Sequence, residues 1–480
     1  MSTMLKFVDI KREMPELRKA DLRAKDFDEI YEQYLPAPAQ EQASRCSQCG
    51  VPYCQTHCPL HNNIPDWLML TAQGRLQEAY ELSQATNTFP EICGRICPQD
   101  RLCEGSCVIE QAGHGTVTIG AVEKYLTDTA WQQGWVRELK PRYERRESVA
   151  IIGAGPGGLA AAEYLRTAGL QVTVYDRYDR AGGLLTYGIP NFKLQKDVVM
   201  RRIQHLEDGG VKFVLNCEID ADYFRRLRQE NMSTIIATGV YQSRDLNIHG
   251  ADAAGVVKAV DYLTASNRKS FGDNVPDFDS GMLNADQKRV VVIGGGDTAM
   301  DCVRTAVRQG AQSVTCLYRR DRKNMPGSLR EVANAEAEGV VFEWLSSPVA
   351  FQVRLSEVQK NVAQVESVSA QRMQLSAADS SGRQAPEAIP NANFTQQADL
   401  VIKALGFEPE NLPHLFDEPA LAVTSWGTIK AEANSGKTSL EGVYAIGDIV
   451  RGASLVVWAI RDGRDCAQAI LTRLNEKVAA

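Results

Sequence analysis

The chain has 480 residues, enough for roughly three domains and a sizeable core. At 44% hydrophobic, 24% charged and a formal net charge of −7, it has the composition of an ordinary globular protein, without the basic footprint of a nucleic-acid binder or a polybasic membrane anchor. Charges interrupt the N-terminus from Lys6 onward and no apolar run reaches roughly 18 residues, so neither a signal peptide nor a transmembrane helix is expected, and the expected compartment is the cytoplasm.

The first 145 residues are Cys-rich and helical by pattern. Pro65 in the segment Ile64 to Trp67 marks a helix start, where a missing N–H costs little. The helix formers after it place Leu76, Ala79, Tyr80 and Ser83 on one face. Of the 12 cysteines, eight fall between Cys46 and Cys107. A cytosolic chain does not use such a cluster for disulfides, so metal is the better reading. The spacings are Cys46-x2-Cys49-x4-Cys54-x3-Cys58-Pro59 and Cys93-x3-Cys97-x5-Cys103-x3-Cys107. Eight thiolates suit two sites of four, and these gaps fit a zinc ribbon poorly. The first quartet is similar to the bacterial ferredoxin run, in which the last Cys, followed by Pro, serves the other cluster. The same crossing here joins Cys46, Cys49 and Cys54 to one distant cysteine, and Cys58 to three of the second quartet. His57 and His61 are read as solvated neighbours, and Cys217, Cys302, Cys316 and Cys466 as small apolar residues.

Pro141 to Ser148 is polar and basic and reads as a boundary. An apolar strand, Val149 to Ile152, then runs into a turn with Gly153, Gly155 and Gly158 and on into a helix. Gly153 permits the tight turn, Gly155 lets backbone approach a pyrophosphate, and Gly158 allows helix to pack on strand. The helix N-terminus offers unpaired N–H groups to phosphate. The next strand, Gln171 to Tyr175, ends at Asp176, where a ribose hydroxyl partner belongs. The same syntax recurs at Val290 to Ile293, followed by Gly294, Gly296, Asp297, Thr298 and Ala299 in G-x-G-x-x-A form. Here the following strand, Ser313 to Tyr318, ends at Arg319 and Arg320. Guanidinium at that point suits a 2′-phosphate, so this second site is expected to take NADPH, although Asp321 could pair with one arginine.

From Phe351 to Asp399 the pattern changes. FQVRL and VESVSAQRMQL alternate like half-buried strands, whereas Ser376 to Gln397 reads as an exposed loop. Ordered patterns return at Leu400 to Gly406 and Val443 to Asp448. Trp426 and Trp458 are read as packing residues, the latter in a segment expected to approach a flavin. No CxxC lies in either nucleotide region, so a thiol–disulfide reductase is disfavoured and electrons need another exit.

Residues Ile235 to Gly239, with Thr238 and Gly239, and Val443 to Asp448, with Gly447 and Asp448, resemble the ATG and GD motifs of two-dinucleotide-domain flavoproteins. That resemblance implies FAD at the first glycine loop and places Asp448 near its ribityl chain. The stretches CSQCGVPYCQTHCPLHNNIPDW, FPEICGRICPQDRLCEGSC, GGLLTYGIPNFKL, GGGDTAMDCVRTAVRQGA, YRRDRKNMPGS and AIGDIVRGASLVVWAIRDGR resemble the small (β) subunits of bacterial NADPH-dependent glutamate synthases. That group also takes in the N-terminal part of dihydropyrimidine dehydrogenase. The resemblance runs from about Phe7 to the C-terminus. It implies two [4Fe–4S] clusters, one on Cys46, Cys49, Cys54 and Cys107 and the other on Cys58, Cys93, Cys97 and Cys103. It further implies a hetero-oligomer with a large (alpha) subunit that carries FMN and makes L-glutamate from L-glutamine and 2-oxoglutarate. No amidotransferase nucleophile is read at Met1-Ser2 and no FMN barrel is read after the GD motif, so that chemistry is expected on the other polypeptide. No catalytic acid or base is expected here, because hydride transfer between cofactors needs none. A pyrimidine-reducing or ferredoxin:NADP partner is the alternative.

The expected architecture is α/β. A helical iron–sulfur domain over 1–145 precedes an FAD domain over 146–248 and 409–480, with an NADPH domain, 249–408, inserted in it. Both nucleotide domains are expected to be Rossmann-like.

Overall fold

The computed structural model describes residues 3–355, 363–379, 382 and 384–479. Met1 and Ser2, and residues 380, 381 and 383 of the expected loop, lie outside the described residues.

The N-terminal region is helical, with α1 (Pro36–Ser44), α2 (Ile64–Ala72), α3 (Leu76–Thr86), α4 (Pro90–Ile96) and α5 (Ile119–Gln132). Proline occupies the first turn of α1, α2 and α4, where no intrahelical N–H bond is lost. Gly74, at φ 75°, separates α2 from α3, so the helix formers after Trp67 fold as two helices. Trp67, Leu68, Ala79, Tyr80, Val122 and Leu126 are buried together. Burial of each large member of that set contributes roughly 1.5–3 kcal/mol. The one polar atom of the Trp67 ring is matched, its Nε1 donating to Asn62 Oδ1 at 3.0 Å.

From Gln133 to Glu147 the chain has no regular element, and then two parallel sheets begin. The first contains β1 (Ser148–Ile152), β2 (Gln171–Tyr175), β3 (Lys212–Val214) and β4 (Ser233–Ile236). After the short β5 (Gln242–Ser243), the second sheet takes up β6 (Val256–Lys258), β7 (Arg289–Ile293), β8 (Ser313–Tyr318) and β9 (Val341–Trp344). Three long strands, β10 (Ser346–Leu355), β11 (Ala363–Leu375) and β12 (Pro386–Gln397), make an antiparallel sheet. Then β13 (Leu400–Lys403) completes the second parallel sheet, β14 (Phe407–Glu408) pairs antiparallel with β5, and β15 (Val443–Ala445) returns to the first. The orders are β15-β4-β1-β2-β3 and β6-β13-β7-β8-β9. The chain thus crosses between the parallel sheets twice, side by side, at the β5–β14 ribbon.

The strand β12 corrects the reading of Ser376 to Gln397 as a loop from Pro386 onward; the described residues of that stretch before it carry no regular element. It pairs with β11 alone, so its outer edge needs no second ladder. An edge position tolerates Pro386, Pro390 and the left-handed Asn391 (φ 58°), which no central strand would accept. Its alternation of half-buried and exposed residues carries too little hydrophobicity to reveal a strand.

Helices α6 (Pro156–Thr167), α7 (Lys196–Asp208), α8 (Asp297–Arg308), α9 (Leu329–Ala337) and α10 (Val456–Ala479) cover the sheets. Small residues let α6 and α10 touch: a Cβ on Gly463 would lie 2.4 Å from Gly157 O and 2.9 Å from Ala161 N. Among the described residues, no helix is long and apolar enough to cross a membrane.

Candidate functional site

The two glycine loops open into one cavity of about 820 Å³ between the parallel sheets. Gly153, Gly155, Asp176, Thr238, Gly239, Gly447 and Asp448 line one part of it; Gly294, Gly296, Asp297, Thr298, Arg319 and Arg320 line the other. Gly158 and Ala299 stand behind the lining. A Cβ on Gly158 would meet Gly153 O at 2.1 Å, and Ala299 is fully buried.

The loops share a geometry that the sequence dictates. Gly153 has φ 111° and Gly294 φ 150°; a Cβ on the first would lie 2.3 Å from Ala237 O, on the second 2.2 Å from Ala404 O. Each is therefore locked against the end of a neighbouring strand. Gly155 and Gly296 are N-caps of α6 and α8, and a Cβ on either would meet nothing within 4 Å. The open space over the second glycine, with helix N–H groups beside it, leaves room for an anion such as phosphate.

Beyond the cradles the two parts differ. Asp176 accepts from Ala154 N at 2.7 Å and from Tyr178 N at 2.9 Å, and burial still raises its carboxyl above the usual range. At the other loop, Arg319 is exposed, and the buried Nε of Arg320 has no hydrogen-bond partner among the described residues. Asp321 accepts from Asn324 N at 2.9 Å and from its Nδ2 at 2.8 Å, so the carboxylate is engaged on the turn. On the first side, the buried Oγ1 of Thr238 also has no partner among the described residues. Burial pushes the Asp448 carboxyl up to about 7, with Asp462 adding repulsion against a bond from Ser454 N.

The eight clustered thiols sort into two groups. Cys46, Cys49, Cys54 and Cys107 line a second, small cavity together with Tyr53, Pro65 and Leu68. Burial raises the Cys46 thiol to about 11 and Cys54 to about 12. Cys58, Cys93, Cys97 and Cys103 are electrostatic neighbours of one another: Cys93 acts on Cys58 and Cys97, and Cys103 interacts with Cys58 and Cys97. Burial raises Cys58 to about 11 and raises Cys103 well above the usual thiol range; for Cys97, also raised, the Cys93 thiol is the first cause. Neutral thiols in such surroundings become good ligands only when a cation replaces the proton. No group of three or more His, Cys, Asp or Glu among the described residues is placed to hold a single metal ion. Cys97 also lines the main cavity, with Arg95, Ile96 and Pro98, so the second thiol group abuts it.

Three features escaped the sequence. Lys193 lines the cavity and donates to Asp301 Oδ1 at 2.8 Å, with Glu331 at 3.8 Å. Burial works against its charge, but these carboxylates outweigh it and keep the ammonium protonated; Asp301 itself is raised by burial to about 6. The partners lie 108 residues apart, beyond any local signal. Secondly, Arg177 lies over the rings of Tyr178 and Tyr241, at 5.5 and 5.2 Å, in the cavity wall beside Asp176. Thirdly, Glu123 is buried beside Cys58, Cys97 and Cys103, and burial raises it to about 8. It accepts from Ser83 and Asn87. A charged residue on the buried stripe Ile119, Val122, Glu123, Leu126 was the signal available.

The remaining assignments divide. His57 and His61 are exposed, and Cys302, Cys316 and Cys466 are buried in cores. Cys217 is half-buried and lines the main cavity. Trp458 packs between Arg451 and Arg461, at 4.6 and 5.4 Å. Trp426 does not pack: it is 80% exposed at a loop tip, where Gly427 turns the chain before the ring can reach a core.

Two family models match the chain: dihydropyrimidine dehydrogenase domain II, 4Fe-4S cluster, over residues 23–135, and pyridine nucleotide-disulphide oxidoreductase, over residues 147–463. The Mycobacterium tuberculosis protein FprA, solved in complex with NADPH, shares the fold at TM-score 0.56 and 22% identity, over 70% of this chain and 86% of that one. The class is thus a pyridine nucleotide oxidoreductase preceded by an iron–sulfur domain. The "glutamate synthase [NADPH] small chain" of Azospirillum brasilense is 59% identical over 478 residues, 99% of this chain and 98% of that one. Its Escherichia coli K12 namesake is 43% identical over 475 residues, 98% of each. The chain belongs to the family of NADPH-dependent glutamate synthase small chains.

Proposed function

We propose that this chain is the NADPH-oxidising subunit of a glutamate synthase, feeding electrons to a large, FMN-bearing chain that makes L-glutamate from L-glutamine and 2-oxoglutarate in the cytoplasm. The observation that carries the reading is that both glycine cradles and Cys97 share one cavity. When bound, FAD accepts a hydride from NADPH and releases single electrons, which [4Fe–4S] clusters carry.

The residues fit those groups. Gly153, Gly155 and the N-terminus of α6 form the cradle for the FAD pyrophosphate, and the unpartnered Thr238 Oγ1 and the carboxyl of Asp448 offer it polar contacts. Gly294, Gly296 and α8 do the same for NADPH, with the open Nε of Arg320 and exposed Arg319 available to its 2′-phosphate. Cys58, Cys93, Cys97 and Cys103 would hold the cluster beside the cavity, and Cys46, Cys49, Cys54 and Cys107 the outer one. The Lys193–Asp301 pair ties the flavin side of the cavity to α8.

The test is oxidation of NADPH by this chain with its large partner. Dependence on both L-glutamine and 2-oxoglutarate is expected. Flavin reduction that ignores both substrates in the complete complex would refute the glutamate synthase assignment.

A further inference from the structure

The segment over the outer thiol group carries no Asp, Glu, Lys or Arg from Cys46 to Pro65. At the chain's 24% charged composition those 20 residues would hold about five. The segment is not buried for lack of charge: Gly50, Thr56, His57 and His61 are exposed, as are Val51 (62%) and Tyr53 (47%). Leu5, also exposed, is tied alongside by its N–H to Cys46 O at 3.2 Å. Tyr53 has two faces. It lines the small cavity with Cys46, Cys49, Cys54 and Cys107, and it also meets solvent. The other thiol group lies towards the main cavity, at Cys97.

We propose that the surface formed by Val51, Tyr53 and His57 of this charge-free segment, with Leu5 alongside, is the one on which the large chain docks, bringing its first redox centre against the outer thiol group. This rests on the electron-carrying function proposed above. Interface cores are depleted of charge and enriched in aromatic residues, and a patch of exposed apolar side chains is unfavourable in water unless covered. The absence of charge also selects the kind of partner. A carrier that collides and leaves is steered by complementary charge, whereas a lasting subunit contact needs an apolar core. Electron tunnelling falls steeply with distance, so the face nearest a cluster is the productive one.

The experiment uses the chain co-expressed with its large partner. A photo-crosslinking benzoyl-phenylalanine in place of Tyr53 is expected to join the two chains on irradiation, and the same group in place of the exposed Trp426 is not. V51E, which forces an unpaired carboxylate into the contact, is expected to weaken association roughly 30-fold or more while iron content and flavin bleaching by NADPH stay at wild-type levels. A crosslink from position 426 and none from 53, a crosslink between two copies of this chain, or undiminished association of V51E would overturn the surface alone. A wild-type chain without iron would overturn the function and the surface together.

Discussion

The two strand–glycine–helix units are built on one plan and finished differently. Each begins with a glycine pressed on a strand end, Gly153 on Ala237 and Gly294 on Ala404, and each opens at its second glycine. The first unit is then sealed. Asp176 is bonded to its own backbone, Arg177 is clamped between Tyr178 and Tyr241, and α10 closes on α6 through Gly463 and Gly157. The second unit ends in Arg319 and Arg320, one exposed and one with an open Nε. A closed site suits a cofactor that stays, and an open cationic one suits a nucleotide that exchanges. The glycine fingerprint is common to both; the residues at the end of the next strand set the two apart.

The largest effects should separate the two units. Gly153→Ala places a methyl group against Ala237 O and should yield protein that lacks the flavin bands and keeps the iron–sulfur absorption. Gly294→Ala should keep the flavin and lose NADPH binding. Absorbance of the purified variants and NADPH titration by fluorescence check both, and loss of flavin from Gly294→Ala would break the assignment of the cradles.

Next comes the anchoring of the second unit. Glu338 takes bonds from Arg304 and Arg308, with Arg23 Nε at 3.1 Å, and the side chains of all four are essentially inaccessible. Glu338→Gln leaves three guanidiniums around a neutral amide and should cost about 3–5 kcal/mol in urea unfolding. A change below about 1 kcal/mol would mean that the N-terminal region is not held there.

A smaller effect is expected at the open end. Arg320→Ala should raise the KM for NADPH roughly 10- to 100-fold and leave that for NADH unchanged, measured by flavin bleaching. Equal loss with both nucleotides would assign Arg320 to something other than the 2′-phosphate.

The subtlest is a pH effect at the sealed end. The folded chain holds the Asp448 carboxyl at about 7, above its unfolded value, so it binds that proton more tightly than the unfolded chain does. The stability this contributes is complete below about pH 4, declines as pH rises towards 7, and is absent above. Flavin-free wild type should therefore lose stability over that interval by roughly 2–4 kcal/mol more than Asp448→Asn, read from parallel urea curves at pH 4 to 8. Parallel pH profiles would show that Asp448 is not buried as its surroundings indicate.

The sequence revealed what is local. Strand–glycine–helix periodicity placed β1, β7 and both cradles, and cysteine spacing located the thiols. Partners that meet only in the folded chain left no such trace. Nothing near Lys193 points to Asp301, and nothing near Arg23 points to Glu338. The strand β12 was hidden for another reason: an edge strand on an exposed sheet is held by backbone pairing to β11, so its prolines and asparagines read as a turn. Trp426 shows the converse error, since a large aromatic invites a packing role that its loop does not provide.

The most direct test of the central claim is an anaerobic NADPH titration of the chain purified with its large partner, followed by visible absorbance. The account predicts at least eight irons per small chain in the complex, bleaching of the flavin band by NADPH, and loss of the broad iron–sulfur absorption that reverses when L-glutamine and 2-oxoglutarate are added together. A flavin that bleaches while the iron–sulfur absorption stays constant would contradict the account, because the electrons would then leave without passing through the thiol groups beside the cavity.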